Sequence, residues 1–293
     1  MPAYRTDRWF PLWNGTILVL ACFTMVAPMI HLLAVSLSDP VYANAKLVGL
    51  WPKGFSLVAY KEILSLDRLW RSFGISVYLC AMGTLIFLAF TTSFSYALSR
   101  PNMPMRKWVL QGVLVTLVFT SPLIPNYMLV RSLGLENTLW ALMIPGALSA
   151  FSVIIMKTFF QGISSELFDA AKIDGSGECS VYAKIALPLS APVIATLSLF
   201  HVVGLWNSYF GAIIYIRNKD LYPLQVVLRS LIVENGAATA VDVAGGAAEI
   251  AVPATPEQLK AGIILVATVP ILFVYPFIQK HFVKGAMLGS LKE

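Results

Sequence analysis

Asp169-Ala170-Ala171, Asp174-Gly175 and Ile185-x-Leu187-Pro188 have the residue types and spacing of a mechanical part rather than a reactive one. Ser164-Ser165 can cap a short helix running from Glu166 to Ile173, with an acid near its positive N-terminal end. Leu167, Ala170 and Ala171 share a face by their three- and four-residue spacing, and the small alanines admit the close approach of another surface. Gly175 can take the left-handed conformation that ends a helix, Ser176 can start a second one, and Leu187-Pro188 closes it. A segment that only joins two apolar stretches could be featureless. Residues 164–188 instead read as a rigid helical hairpin, which makes sense if something outside a membrane must grip it. Covalent chemistry finds no such support. His31, His201 and His281 lie in different regions without a second ligand at metal spacing, and no nucleophile triad or phosphate-cradling glycine loop is present. Cys22, Cys80 and Cys179 suggest no disulfide framework.

The elements that must carry this hairpin follow from composition. The chain is 58% hydrophobic and 12% charged, with a mean hydropathy of +0.75, whereas soluble domains carry roughly 25% charge. It is therefore expected to be an all-α, polytopic integral membrane protein. Apolar stretches near 15–36, 73–98, 108–130, 140–160, 189–214 and 259–282 approach the roughly 20 residues a span needs, which predicts six transmembrane helices in one membrane domain over 1–293. The third contains Pro122 and Pro125, tolerable where neighbouring helices re-satisfy the freed carbonyls. The first follows Arg5 and Arg8, is long and lacks a small-residue cleavage site, so it reads as a retained helix. With six spans both termini share a side. Arg100, Arg106 and Lys107 concentrate in one short loop, whereas the basic residues of the other side spread over two long ones, which predicts termini and hairpin in the cytoplasm. The net charge of +6 then reads as the same inner-side bias, and the basic residues lack the aromatic interleaving of a nucleic-acid surface. Outside, residues 37–72 hold Trp51, Tyr60 and Trp70, suited to a membrane interface, with a short helix expected over 56–65. A second outer loop, about 217–258, contains the small-residue stretch 234–257 with Gly245-Gly246. It is either a mobile linker or a contact for an extracytoplasmic partner.

The hairpin, the six-span layout and Phe282-Val283-Lys284-Gly285 resemble the sugar-type, maltose-type permeases of ABC importers, and the resemblance covers nearly the whole chain. In that family the hairpin is the EAA loop, which docks into a cleft on the ATP-hydrolysing subunit. Leu123-Ile124-Pro125-Asn126-Tyr127, Trp206-Asn207-Ser208-Tyr209-Phe210 and Leu221-Tyr222-Pro223-Leu224-Gln225 look most like the subfamily for complex oligosaccharides, which includes alginate importers. The chain departs from the family at Asp169, where Glu is usual; Asp keeps the charge and shortens the reach. The resemblance implies a type I importer fold in a bacterial inner membrane, a second permease subunit, two ATP-binding subunits that carry the ATP and Mg, and a periplasmic solute-binding protein. The chain itself would hold no cofactor and catalyse nothing.

On that resemblance Asn126, Tyr127, Trp206, Asn207 and Tyr209 become candidates for a sugar path, because sugars present hydroxyls beside apolar CH faces. The same residues could instead hydrogen-bond between helices; in lipid an unpaired Asn is costly and must face protein or water. Arg131, at the outer end of the third stretch, could meet an acidic sugar or snorkel to headgroups. The cargo expected is an oligosaccharide, with a polyuronate such as alginate preferred over a neutral maltodextrin. A membrane-embedded enzyme would need a convergent nucleophile or metal set. A stand-alone secondary transporter would need paired broken helices in related halves.

Overall fold

The computed structural model of the chain describes residues 9–238, 254–270 and 272. Among these all regular structure is helical. In order come α1 (Trp9–Ser36), α2 (Pro40–Asn44), α3 (Val58–Leu64), α4 (Asp67–Ser99), α5 (Arg106–Val118), α6 (Leu123–Ser132), α7 (Trp140–Met143) and α8 (Ala150–Gln161). Next are α9 (Ser165–Ile173), α10 (Glu178–Val181), a π-helical turn (Tyr182–Ala186), α11 (Leu187–Leu189), α12 (Ala191–Trp206), α13 (Phe210–Tyr215), a 3-10 turn (Lys219–Leu221) and α14 (Leu224–Ala238). Residues 256–270 form α15. Gly245, Gly246 and the Phe282–Gly285 motif lie outside the described residues.

Among the described residues two helices, α1 and α4, are long and apolar enough to cross a membrane, and a third crossing arises if Glu178–Leu189 and Ala191–Trp206, bent by 78°, form one broken span. The predicted third stretch is not one helix. Phe119 and Pro122 are extended, since Pro122 has no N–H with which to continue α5, and α6 restarts behind it. Pro125 then stands in the first turn of α6, where a missing donor is harmless. The fourth stretch breaks at Pro145-Gly146 between α7 and α8, and the fifth breaks after Trp206. The outer segment expected to be a loop over 217–258 contains the fifteen-residue α14, and the helix expected over 56–65 is α3. Helix α1 is apolar on every side and almost wholly exposed, as a helix surrounded by lipid is.

The described residues sort into two compact units, residues 9–69 with 228–238 and 254–269, and residues 70–227 with 270 and 272. In the first, Ser38, two residues beyond α1, is a buried hub. Its hydroxyl donates to the Ala34 carbonyl at 2.6 Å and accepts from Lys53 N at 3.0 Å. Its own carbonyl accepts from Gln258 Nε2 of α15 at 2.5 Å, while Gln258 Oε1 takes the Thr255 N–H at 3.1 Å. Buried amides are retained only with such partners. Gly262 lets α15 approach α3 so closely that a Cβ there would sit 2.7 Å from Ile63 Cδ1.

In the second unit the core joins Phe87 and Tyr96 of α4, Met156 and Phe160 of α8, Phe168 and Ala171 of α9, Val181, Ala186 and Leu197. The hairpin is therefore not an appendage: its inner face is core.

Gln258→Leu strands the Ser38 carbonyl and the Thr255 N–H in an apolar site, a cost of about 1–3 kcal/mol. Thermal unfolding of the purified protein in detergent should show a lowered midpoint; an unchanged midpoint would remove Ser38–Gln258 as the tie holding the first unit.

Candidate functional site

The predicted hairpin is built as the sequence anticipates. Ser164 Oγ accepts the Glu166 N–H, and Glu166 and Lys172 stand at the ends of α9 that favour their charges. At the far end Gly175 N–H donates to the Lys172 carbonyl at 3.0 Å and Ser176 N–H to the Ala171 carbonyl at 2.9 Å, the paired bonds of a Schellman stop. Gly175 sits at φ 78°, the left-handed region that only a residue without Cβ enters freely. The second arm starts one residue later than expected, with Gly177 rather than Ser176 before Glu178.

Ala171 does not lie on an outward face with Leu167 and Ala170: it is buried with Phe168 in the core. The outward face is Leu167, Ala170 and Ile173, and Ile173, 86% exposed, was not singled out by the sequence pattern. Asp169, Asp174 and Gly175 border it and are exposed, Ile185 packs against the core, and Leu187 and Pro188 lead toward α12.

Residues beyond the motif hold the hairpin to the end of α4. The Arg100 guanidinium lies 3.8 Å from the Phe168 ring centroid and 4.5 Å from that of Tyr96, with the side chain only 19% exposed. It donates through Nη2 to the Tyr96 hydroxyl. That hydroxyl donates in turn to Glu178 Oε2 at 3.0 Å, which lies 3.7 Å from Arg100 Nε. Lys172 Nζ reaches Glu178 Oε1 at 2.9 Å, and the Thr92 and Tyr182 hydroxyls meet at 2.7 Å. The Lys172 hydrogen bond, aided by Tyr96 and the Arg100 charge, holds the Glu178 carboxyl below its usual range. The pairing is thus complete at neutral pH and is lost only as pH falls through that depressed value. In the sequence Arg100 was legible only as inner-side charge.

The residues expected along a path fall in two places. Tyr127 donates to Glu136 Oε1 at 2.9 Å and stacks on Tyr215 at 6.1 Å, while Arg131 Nε lies 3.7 Å from Glu136 Oε2. Asn126, on the same helix, bonds the Ser121 carbonyl at 3.3 Å. Trp206 is elsewhere, buried edge-on to Phe73 at 5.9 Å on an apolar cavity of about 780 Å³ between α4 and α12. Asn207 spends its amide on the Val203 carbonyl at 3.0 Å, satisfying the end of α12, and Tyr209 packs near Ala212 and Ile216. Glu136 and Arg217, which no motif marked, complete the first group.

Among the described residues, regular structure that is all helical, with two helices able to span a membrane and a clamped hairpin, describes a helical membrane protein. The chain belongs to the family described as binding-protein-dependent transport system inner membrane component, whose model matches residues 17–287. It is 42% identical over 268 residues to Protein LplC of Bacillus subtilis, covering 91% of this chain and 89% of that one. It is 40% identical over 288 residues to the polygalacturonan/rhamnogalacturonan transport system permease protein YtcP of Bacillus subtilis, covering 98% and 99%. Among solved structures it superposes with a TM-score of 0.87 on a chain of a bacterial ABC transporter involved in import of the acidic polysaccharide alginate, at 28% identity over 96% of this chain and all of that one. The resemblance read from the sequence holds: the chain is an inner-membrane permease subunit of an ABC importer, and its relatives are transport permeases rather than enzymes.

Arg100→Ala removes the charge from between two rings and frees Glu178, so amide hydrogen exchange across 165–181 should quicken by about tenfold. Unchanged exchange would mean the apolar core alone fixes the hairpin.

Proposed function

We propose that this permease carries acidic oligosaccharides, polyuronates such as oligogalacturonates or alginate fragments, across the inner membrane under ATP drive. The observation that carries the coupling is the two-faced hairpin: Phe168 and Ala171 locked into the core, Leu167, Ala170 and Ile173 left outward. In this reading Asp169, Ala170, Asp174 and Gly175 meet the cleft of an ATP-binding subunit, and Ala171, Ile185, Leu187 and Pro188 hold the hairpin's shape behind them. A second permease subunit completes the pathway through six spans each, two ATP-binding subunits supply ATP and Mg, and a periplasmic solute-binding protein delivers cargo to the face opposite the hairpin. Both termini are cytoplasmic. Asn126, Tyr127, Arg131, Trp206, Asn207 and Tyr209 remain the proposed substrate path, and the segment with Gly245 and Gly246 the proposed contact for the binding protein. The acidic cargo is supported by the substrates after which the 40%-identical permease and the superposable importer are named.

The test is ATP hydrolysis by the natively co-purified complex with its binding protein. Oligogalacturonates or alginate oligomers should stimulate it and maltodextrins should not. Stimulation by maltodextrins alone would retire the acidic cargo while keeping the permease.

A companion variant tests the hairpin. No atom lies within 4 Å of a Cβ at Gly175, so a substitution there meets only its left-handed backbone. Gly175→Val should cut stimulated hydrolysis and uptake by about tenfold, from roughly 1–2 kcal/mol of strain, whereas Gly175→Asn, tolerant of positive φ, should retain both. Normal uptake by the Val variant would sink the docking account.

A further inference from the structure

The end of the second unit remote from the hairpin carries a cluster the coupling account does not use. Arg71 Nη1 pairs with Asp220 Oδ1 at 3.1 Å, and Ser76 Oγ accepts the Leu224 N–H at 2.8 Å. Residues 217–224 therefore lie at the start of α4. Arg100 and the hairpin lie at its other end, about 44 Å away at 1.5 Å per residue. Asn137, at φ 61°, fastens the turn after α6 there. Its side-chain carbonyl accepts from Arg217 N at 3.0 Å and Asn218 N at 2.8 Å, and its own N–H donates to the Tyr215 carbonyl at 2.8 Å. This lock brings Glu136 beside Arg217.

The donors and acceptors of the cluster do not balance. Glu136 Oε1 accepts from Tyr127 at 2.9 Å and from Arg217 Nη2 at 2.7 Å; Arg131 Nε stays 3.7 Å from Oε2, outside hydrogen-bond reach. One carboxylate, 20% exposed, thus faces two guanidiniums that are 66% and 72% exposed. A guanidinium has five donors in a fixed fork suited to a carboxylate. Most of these ten point at no acidic partner among the described residues, and the three side chains together carry one surplus positive charge. Beside them Tyr127 and Tyr215 stack with planes 11° apart, an aromatic surface of the kind that receives the CH face of a sugar ring.

We propose that Arg131 and Arg217, poised by Glu136 beside the Tyr127–Tyr215 pair, form an outer recognition site for the carboxylate of a hexuronate unit. The inference rests on the acidic-oligosaccharide reading and gives that cargo a place on this chain. Glu136 is the resident anion. An arriving uronate takes the unfilled donors of Arg131, while Glu136 keeps Arg217 and Tyr127 in position. Competition from the resident carboxylate keeps the site weak, as a passage site must be if cargo is to leave it.

A structural staple joining α6 to the segment after α13 would use the same ion pairs, so the test turns on sign. Saturation-transfer NMR of trigalacturonate on the full complex in nanodiscs, without its binding protein, gives the dissociation constant. Arg131→Gln should raise it about tenfold, and Arg131→Lys should recover part of the loss. Glu136→Gln keeps the shape and removes the competing charge, so it should lower the constant severalfold. Equal loss in Arg131→Gln and Glu136→Gln, or no saturation transfer in the wild type, would overturn the site. The two readings fail separately. ATP hydrolysis that answers to oligouronates while these constants stay flat removes only the site; hydrolysis that answers to maltodextrins alone removes the acidic cargo.

Discussion

A half-buried guanidinium decides how this subunit is put together. Arg100 is held at the end of α4 between the rings of Tyr96 and Phe168, and a cation is tolerated there only because Glu178 stands behind it. Glu178 belongs to the second arm of the hairpin and Phe168 to the first, so one side chain ties both arms to the longest helix of the unit. The tie explains the division of faces. Phe168 and Ala171 are committed inward, which leaves Leu167, Ala170 and Ile173 as the surface another subunit can press on. It also explains how a push could travel: α4, 33 residues long and unbroken, carries the clamp at one end and the Arg71–Asp220 pair near the other.

The return from hairpin to membrane depends on Pro188. That residue has no N–H to offer the preceding turn, so slipping the helical register just before it sacrifices no donor. The chain takes that slip as the π-helical turn, with Leu187 N–H donating to the Tyr182 carbonyl. The slip orients Tyr182 toward Thr92 and Tyr96, adding a further contact to α4. Ser190 then ends the arm, and α12 leaves at 78° to it.

What was legible in the sequence was local. The Ser164 cap, the stop at Asp174-Gly175 and the helical, membrane-bound character follow from residue types within a few positions of one another. What was not legible depends on distant partners. Spacing alone put Ala171 with Leu167 and Ala170, but Phe168 claims the core side of α9 and takes Ala171 with it. Ile173 at the helix end looked like another apolar residue until the fold left it uncovered. Arg131 was visible as a charge near a span end, yet its counter-ion Glu136, shared with Arg217 from 81 positions further on, could not be read without the Asn137 lock. Continuous apolar runs hid the breaks at Pro122, Pro145 and Asn207, because hydropathy does not register a missing donor or a capped end.

In the proposed importer, hairpin and α4 move as one body when ATP-binding subunits close. Spin labels on Asn102→Cys, just past α4, and Ile173→Cys, on the outward face, in a complex whose native cysteines have been replaced, read that distance by double electron–electron resonance. One narrow distribution is expected, the same without nucleotide and with ATP trapped, while the distance from Ile173 to a label on the core of the proposed ATP-binding subunit changes. A distribution between 102 and 173 that broadens or shifts with nucleotide would contradict it, because the hairpin would then hinge on α4 rather than carry force into it.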